Sequence, residues 1–166
     1  MTRGLKRHHQ GLMWSSLFLA LMLELWQPAQ GVARLLWPQW LMLVMAYWIL
    51  ELSRCVSMFR GVLFGLVLDL GRGVVLGQHP LMLVVGIYLL QQHRLRVRFY
   101  PMWQQTAVLA GILLLQQLLQ GGVYRWLGLG VEWQTWAWTV ASSAALWPWL
   151  FLFMDRLNMR LRRSEH

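Results

Sequence analysis

The sequence predicts an all-α protein: a polytopic membrane helix bundle of about six transmembrane helices, with N- and C-termini cytoplasmic and residues 1–166 forming a single integral membrane domain. Three observations carry that expectation. Of 166 residues, 58% are hydrophobic and only 13% charged, whereas soluble domains run at about half apolar and about a quarter charged. Apolar runs approaching the ~18 residues that cross a hydrocarbon core recur between short polar breaks. The basic residues fall mainly in alternate breaks, the pattern that orients a polytopic chain with its Lys and Arg in the cytoplasm.

The spans expected are Leu12 to Gln27, Leu36 to Leu52, Val56 to Leu70, Val74 to Gln91, Trp103 to Leu119 and Trp138 to Met154. The first follows Arg3, Lys6 and Arg7 and looks like a secretory signal. It is long for one, contains Glu24, and precedes a poor cleavage site at Ala29-Gln30-Gly31, so it reads as a retained anchor. The third and fourth spans are divided only by Gly71-Arg72-Gly73, which leaves five or six crossings open, with a partly re-entrant segment as the alternative. With six, the inside receives the basic start, Arg54 and Arg60, the Arg94, Arg96, Arg98 cluster and the basic tail from Arg156 to Arg163. The outside receives only Arg34, Arg72 and Arg125.

Tryptophans near most span ends, Trp48 among them, fit the headgroup belt. Trp147 and Trp149 are interior and flank Pro148, whose missing N–H predicts a helix kink, with Ser142 and Ser143 placed to satisfy the loosened backbone. Residues 121–135 read as an outside loop or short interfacial helix.

The net charge of +9 and pI of about 11.3 suggest nucleic acid in a soluble protein. Here the charges form no continuous face or stripe, so no nucleic-acid partner is expected. Cys55 is the sole cysteine, which excludes an internal disulfide, and the scattered histidines point to no metal site. Nucleotide-binding glycine loops, metalloprotease helices and nucleophile elbows are not found, so neither an enzyme nor a cofactor is expected.

The densest signal is Gly61, Gly65, Asp69, Gly73 and Gly77, one every four residues. On a helix this makes a small face that lets backbones approach closely. It serves equally as an internal helix contact or as the seat of a partner's helix. Asp69 is an ionisable group near a span end and a functional candidate for that reason. Arg72, one turn on, is its expected ion-pair partner, and His79 reaches it only if the loop folds back. The further acids or histidines that a proton relay needs at that depth are not evident. Glu24 and Glu51 fall near opposite faces and read as interfacial. Gln104, Gln105, Gln116, Gln117 and Gln120 read as hydrogen-bonding glue between helices.

Pro38-Gln39-Trp40 through Tyr47-Trp48-Ile49-Leu50 resembles the second span of the rod-shape-determining MreD family. The run from Gly61 to Leu70 with Leu76-Gly77, and Leu146-Trp147-Pro148-Trp149-Leu150-Phe151, are similar to two further segments of that family. Glu24 departs from the uncharged residue expected there. The resemblance implies a non-catalytic inner-membrane scaffold of the cell-elongation machinery. It would bind the single-span protein MreC and, with MreB, RodZ and a RodA-type glycan polymerase and its transpeptidase, support lateral peptidoglycan synthesis. The basic inside loops would rest on anionic membrane lipid. The alternative is a substrate-capturing membrane subunit of a vitamin-type importer, which needs a pocket of convergent polar groups. The sequence offers few at one depth.

Overall fold

The computed structural model describes residues 2–28, 31–52, 56–128, 130 and 133–163. Arg54, Cys55 and the Ala29-Gln30 pair lie outside these residues. The side chains of Arg3, Lys6, Arg7, Arg162 and Arg163 also lie outside the description. Among the described residues every regular element is helical: α1 (Thr2–Leu25), the short α2 (Val32–Leu35), α3 (Trp40–Glu51), α4 (Met58–Arg72), α5 (Gln78–Arg98), α6 (Met102–Trp126) and α7 (Trp133–Arg163). The six long helices follow one another up and down. α6 and residues Thr135–Arg160 of α7 are long and apolar enough to cross a membrane, and Gln10–Leu25 and Trp40–Glu51 are shorter apolar helices.

The bundle is organised around α3. Every residue from Leu41 to Leu50 is buried, and α3 packs on α1, α5 and α7. A helix that is apolar all round belongs inside a bundle. Tyr47 stacks edge-on against Trp48 and Phe151, at 5.3 and 5.5 Å between ring centres. Trp48 is fully buried and donates Nε1–H to Ser16 Oγ at 2.9 Å. It is therefore a core residue and not the interfacial one its position near a span end suggests. Such a bond between apolar helices is worth about 0.6 kcal/mol.

The ambiguous third and fourth spans are two separate antiparallel helices, α4 and α5, and they form the most extensive helix contact in the bundle. Ser57 caps α4, its Oγ accepting from Arg60 N at 3.4 Å. Gly73 ends α4 in the left-handed conformation, φ 62°, which glycine adopts without a Cβ clash. The four-residue glycine repeat is therefore not one continuous helix face, because Gly73 and Gly77 lie in the turn. Gly61 and Gly65 do face a neighbour, but it is α5. A Cβ on Gly61 would meet Leu83 and Ile87, and one on Gly65 would sit in the Pro80 backbone. The small face is used within the molecule.

Two further expectations are corrected at α6 and α7. α6 continues without a break through Gly121 to Trp126, so most of the expected outside loop is helix. α7 runs through Pro148 as one helix, as a proline-kinked helix does, and the correction there concerns the serines. Ser142 and Ser143 both bond the Thr139 carbonyl, at 3.0 and 2.6 Å, and not the Ala144 carbonyl that Pro148 leaves free. Ser143 Oγ also accepts from Gln39 N at 3.0 Å, tying the start of α3 to α7.

Gly65→Ala is expected to cost about 1–3 kcal/mol, the usual range for overpacking, because the obstacle is Pro80 backbone. Gly111→Ala, whose Cβ meets nothing within 4 Å, is expected to leave stability unchanged or slightly raised. Thermal unfolding of the purified variants, followed by tryptophan fluorescence, separates the two.

Candidate functional site: a buried charge chain beside a polar cavity

Asp69 occupies the last turn of α4 and is 1% exposed. A buried carboxylate is tolerable only when donors meet it, and here both oxygens are met. Oδ2 accepts the Gly77 N–H at 2.6 Å, and Oδ1 accepts the His79 backbone N–H at 3.1 Å. Gly77 and His79 open α5, so Asp69 caps a different helix from its own. Its negative charge sits at the positive end of that helix's dipole. The turn folds back far enough for His79 Nδ1 to lie 2.6 Å from Oδ1.

From there the chain of contacts continues. Arg72 Nη1 lies 3.0 Å from His79 Nε2. A guanidinium only donates, so Nε2 accepts and the His79 proton is on Nδ1, facing Asp69. Arg72 Nη2 donates to the Glu24 carbonyl at 2.7 Å and to Glu24 Oε1 at 3.1 Å. Glu24 Oε2 in turn accepts from Leu41 N at 3.3 Å, in the first turn of α3. One connected chain, Asp69–His79–Arg72–Glu24–Leu41, thus fastens α4, α5, α1 and α3 at one end of the bundle.

This arrangement corrects three expectations. Asp69 and Arg72 do not pair directly, because Arg72 turns to Glu24 and His79 lies between them. Glu24 is not interfacial: it is 6% exposed and holds the ion pair with Arg72. The groups thought missing at the depth of Asp69 are His79 and Glu24. Glu51 does lie at the opposite end, 3.3 Å from Arg98. A signal for the Glu24–Arg72 pair was present in the sequence: an acid late in the first span and a base just after the third fall at the same depth.

Beside the chain lies a cavity of about 350 Å³. Glu24, Arg72 and His79 form one side. Gln116, Gln117, Gln120 and Tyr124 from α6 form another, and Trp136 and Thr139 of α7, with Arg34, Trp37 and Gln39, complete the rim. The sequence was expected to offer few polar groups at one depth, but the cavity gathers many. Gln116 acts as the expected glue, donating Nε2–H to the Met82 carbonyl at 2.6 Å.

Among the described residues the buried carboxylates, Glu24 and Asp69, both meet donors, and an all-helical bundle that also carries two helices long and apolar enough to cross a membrane has the character of a membrane protein. The family model for the rod shape-determining protein MreD matches residues 5–157, and the chain belongs to that family. It is also similar to the rod shape-determining protein MreD of Haemophilus influenzae (strain ATCC 51907 / DSM 11121 / KW20 / Rd), at 32% identity over 130 residues, covering 78% of this chain and 80% of the relative. No solved structure matches. The resemblance read from the second, third and last spans is borne out.

Arg72→Met strands Glu24 as an uncompensated buried charge and is expected to cost about 3–5 kcal/mol. Adding Glu24→Leu removes that charge and should restore most of the loss, since an apolar pair often replaces a buried ion pair at little cost. Chemical denaturation of wild type, both single variants and the double variant measures this as a thermodynamic cycle. Simple additivity would mean that the two residues act independently.

Proposed function

We propose that the chain is a non-catalytic, multi-pass subunit of the bacterial inner membrane that determines rod shape by assembling the wall-elongation machinery, with an MreC-type protein as its direct partner. Membership of the MreD family carries this reading. The up-and-down order of the six long helices fits six crossings with both termini in the cytoplasm. In that orientation the Asp69–Glu24 chain and the cavity open on the outer side, while Arg60, Arg94, Arg96 and Arg98 lie on the inner side near anionic lipid. MreB, RodZ and the RodA-type polymerase with its transpeptidase are indirect partners in this scheme.

The glycine repeat is withdrawn as a partner's seat, because α5 already occupies Gly61 and Gly65. Exposed apolar side chains lie elsewhere on the helices: Phe59, Val67 and Leu70 on α4, Leu81 and Tyr88 on α5, and Trp149 and Phe153 on α7. In a membrane these contact lipid or another subunit.

The polar cavity is the specific observation that favours the alternative of a substrate-capturing importer subunit. The two readings differ in what accompanies the protein. Gentle extraction of the tagged chain from its own membranes is expected to recover a single-span, coiled-coil MreC-like protein in stoichiometric amount. Recovery of a nucleotide-binding ATPase pair with a bound small molecule would replace the scaffold reading by the importer one.

Topology has a separate check. Reporter fusions are expected to give a fluorescent cytoplasmic domain after Arg163 and an active periplasmic phosphatase after Leu127. The reverse pattern would invert the orientation, and a periplasmic C-terminus with a cytoplasmic N-terminus would reduce the crossings to five.

A further inference from the structure

One member of the charge chain reverses its hydrogen-bonding role when it takes up a proton. Arg72 keeps its charge at any ordinary pH, and the Asp69 side chain is sealed from solvent. His79 is open: its side chain is 14% exposed and lines the cavity. Histidine is also the side chain whose charge ordinarily changes between about pH 5 and 8.

The geometry fixes where an added proton goes. Nδ1 already carries a hydrogen and donates it to Asp69, so the free position is Nε2, the atom that accepts from Arg72 Nη1 at 3.0 Å. Once Nε2 bears a hydrogen, two donors face each other and an imidazolium stands against a guanidinium. That contact cannot persist, because neither nitrogen offers a lone pair and the charges are alike. The bond to Asp69 survives, since Nδ1 still donates, and it gains charge assistance. Protonation therefore cuts one link of the chain and tightens the next. The surrounding groups do not restore the cut. Glu24 on α1 lies beyond Arg72, 3.1 Å from its Nη2, and Arg34 on α2 adds positive charge to the same cavity. Tyr124 and the glutamines of α6, with Leu41 and Met42 of α3, complete the neighbouring walls without a further carboxylate among the described residues.

Released from His79, Arg72 is held from the Glu24 side alone. Arg72, His79 and Glu24 share one wall of the cavity, so that wall changes shape as the guanidinium turns from α5. Arg72 also holds the Glu24 carbonyl at 2.7 Å, and through it the end of α1 loses its tie to α5. We propose that His79 is a proton-operated latch: unprotonated, it joins Arg72 to α5 and fastens the end of α1, and protonated from the cavity it releases both. In the orientation proposed above the cavity opens outward, so the latch responds to acid on the outer side. That sidedness rests on the scaffold reading, whereas the latch is a property of the isolated chain.

The full chain, labelled with [15N]histidine, is placed in nanodiscs of phosphatidylethanolamine and phosphatidylglycerol. The His79 ring signals are those lost in His79→Gln. At about pH 8 they are expected to show hydrogen on Nδ1 and a bare Nε2, and acidification to about pH 4.5 is expected to protonate Nε2. Hydrogen on Nε2 at the higher pH, or no uptake on acidification, overturns the proposal. Arg72→Met removes the facing donor and its charge, so His79 in that variant should bind the proton about ten-fold more tightly, one unit in pH. Equal affinity overturns the link to Arg72. If Arg72→Met fails to fold, Arg72→Met combined with Glu24→Leu takes its place. Hydrogen exchange, corrected for the intrinsic rate at each pH, reads the consequence. The amides of residues 20–25 should exchange about five-fold faster at the lower pH in the wild type. His93→Gln, further along α5, should behave in the same way. His79→Gln should show no such change, because its side-chain oxygen still accepts from Arg72 but takes up no proton. Unchanged exchange in the wild type, or the same acid response in His79→Gln, overturns the latch. All of these measurements use the purified chain without a partner, so the latch and the scaffold reading fail separately.

Discussion

A carboxylate cannot remain charged inside an apolar bundle unless donors meet it, and satisfying Asp69 shapes one whole end of this molecule. Its oxygens take the free N–H groups that open α5, which fixes where α5 begins and how sharply the chain turns after α4. The same turn brings His79 round to Asp69 and presents its other nitrogen to Arg72. Arg72 then secures the end of α1 through both the backbone and the side chain of Glu24. Each member needs the next, so removing one exposes the desolvation cost of its neighbour.

The same end of the bundle serves two purposes. Charge pairing holds helices whose apolar surfaces would otherwise be nearly indifferent to one another, since hydrocarbon gives little drive for apolar helices to associate. Glu24, Arg72 and His79 meet one another at one side of the adjoining cavity, and Arg34 and the glutamines of α6 add to its polar lining. In this member of a family named for rod shape, the charge chain and a polar cavity therefore occupy the same end of the bundle.

Much of this was legible in the sequence, and the misses have physical causes. The helical class, the order of the six main helices and the family were readable, because apolar length, basic breaks and a few Gly, Pro and Trp positions are one-dimensional signals; the ends were less so, since α1 begins at Thr2 and α7 runs to Arg163, well beyond the apolar runs. Asp69 stands out in the sequence as an ionisable group near a span end, and the structure buries it at the turn between α4 and α5. Its partner was misassigned because a helical period places Arg72 one turn away, whereas the left-handed Gly73 reverses the chain and brings His79 in first. The glycine repeat misled for the same reason: a four-residue period says nothing about where the helix stops. Gln116 bonds across to Met82 O, as the glutamine pattern suggests. A sequence cannot show that Oε1 of Gln116 and of Gln117 is buried without a donor, since that depends on which helices converge on them.

The dimensions of α3 carry one more consequence. At 12 residues it is about 18 Å long, whereas α6 with 25 residues extends about 37 Å. Surrounded by its neighbours, α3 has no need to match a bilayer, and it is about half as long as α6. The cavity lies over its first residues, Gln39, Leu41 and Met42, so the hollow is the headroom above a truncated pillar. Chamber depth in this architecture is therefore governed by the number of turns in the central helix. Relatives with an additional turn before Trp40 would have a shallower chamber or none, with every wall residue unchanged.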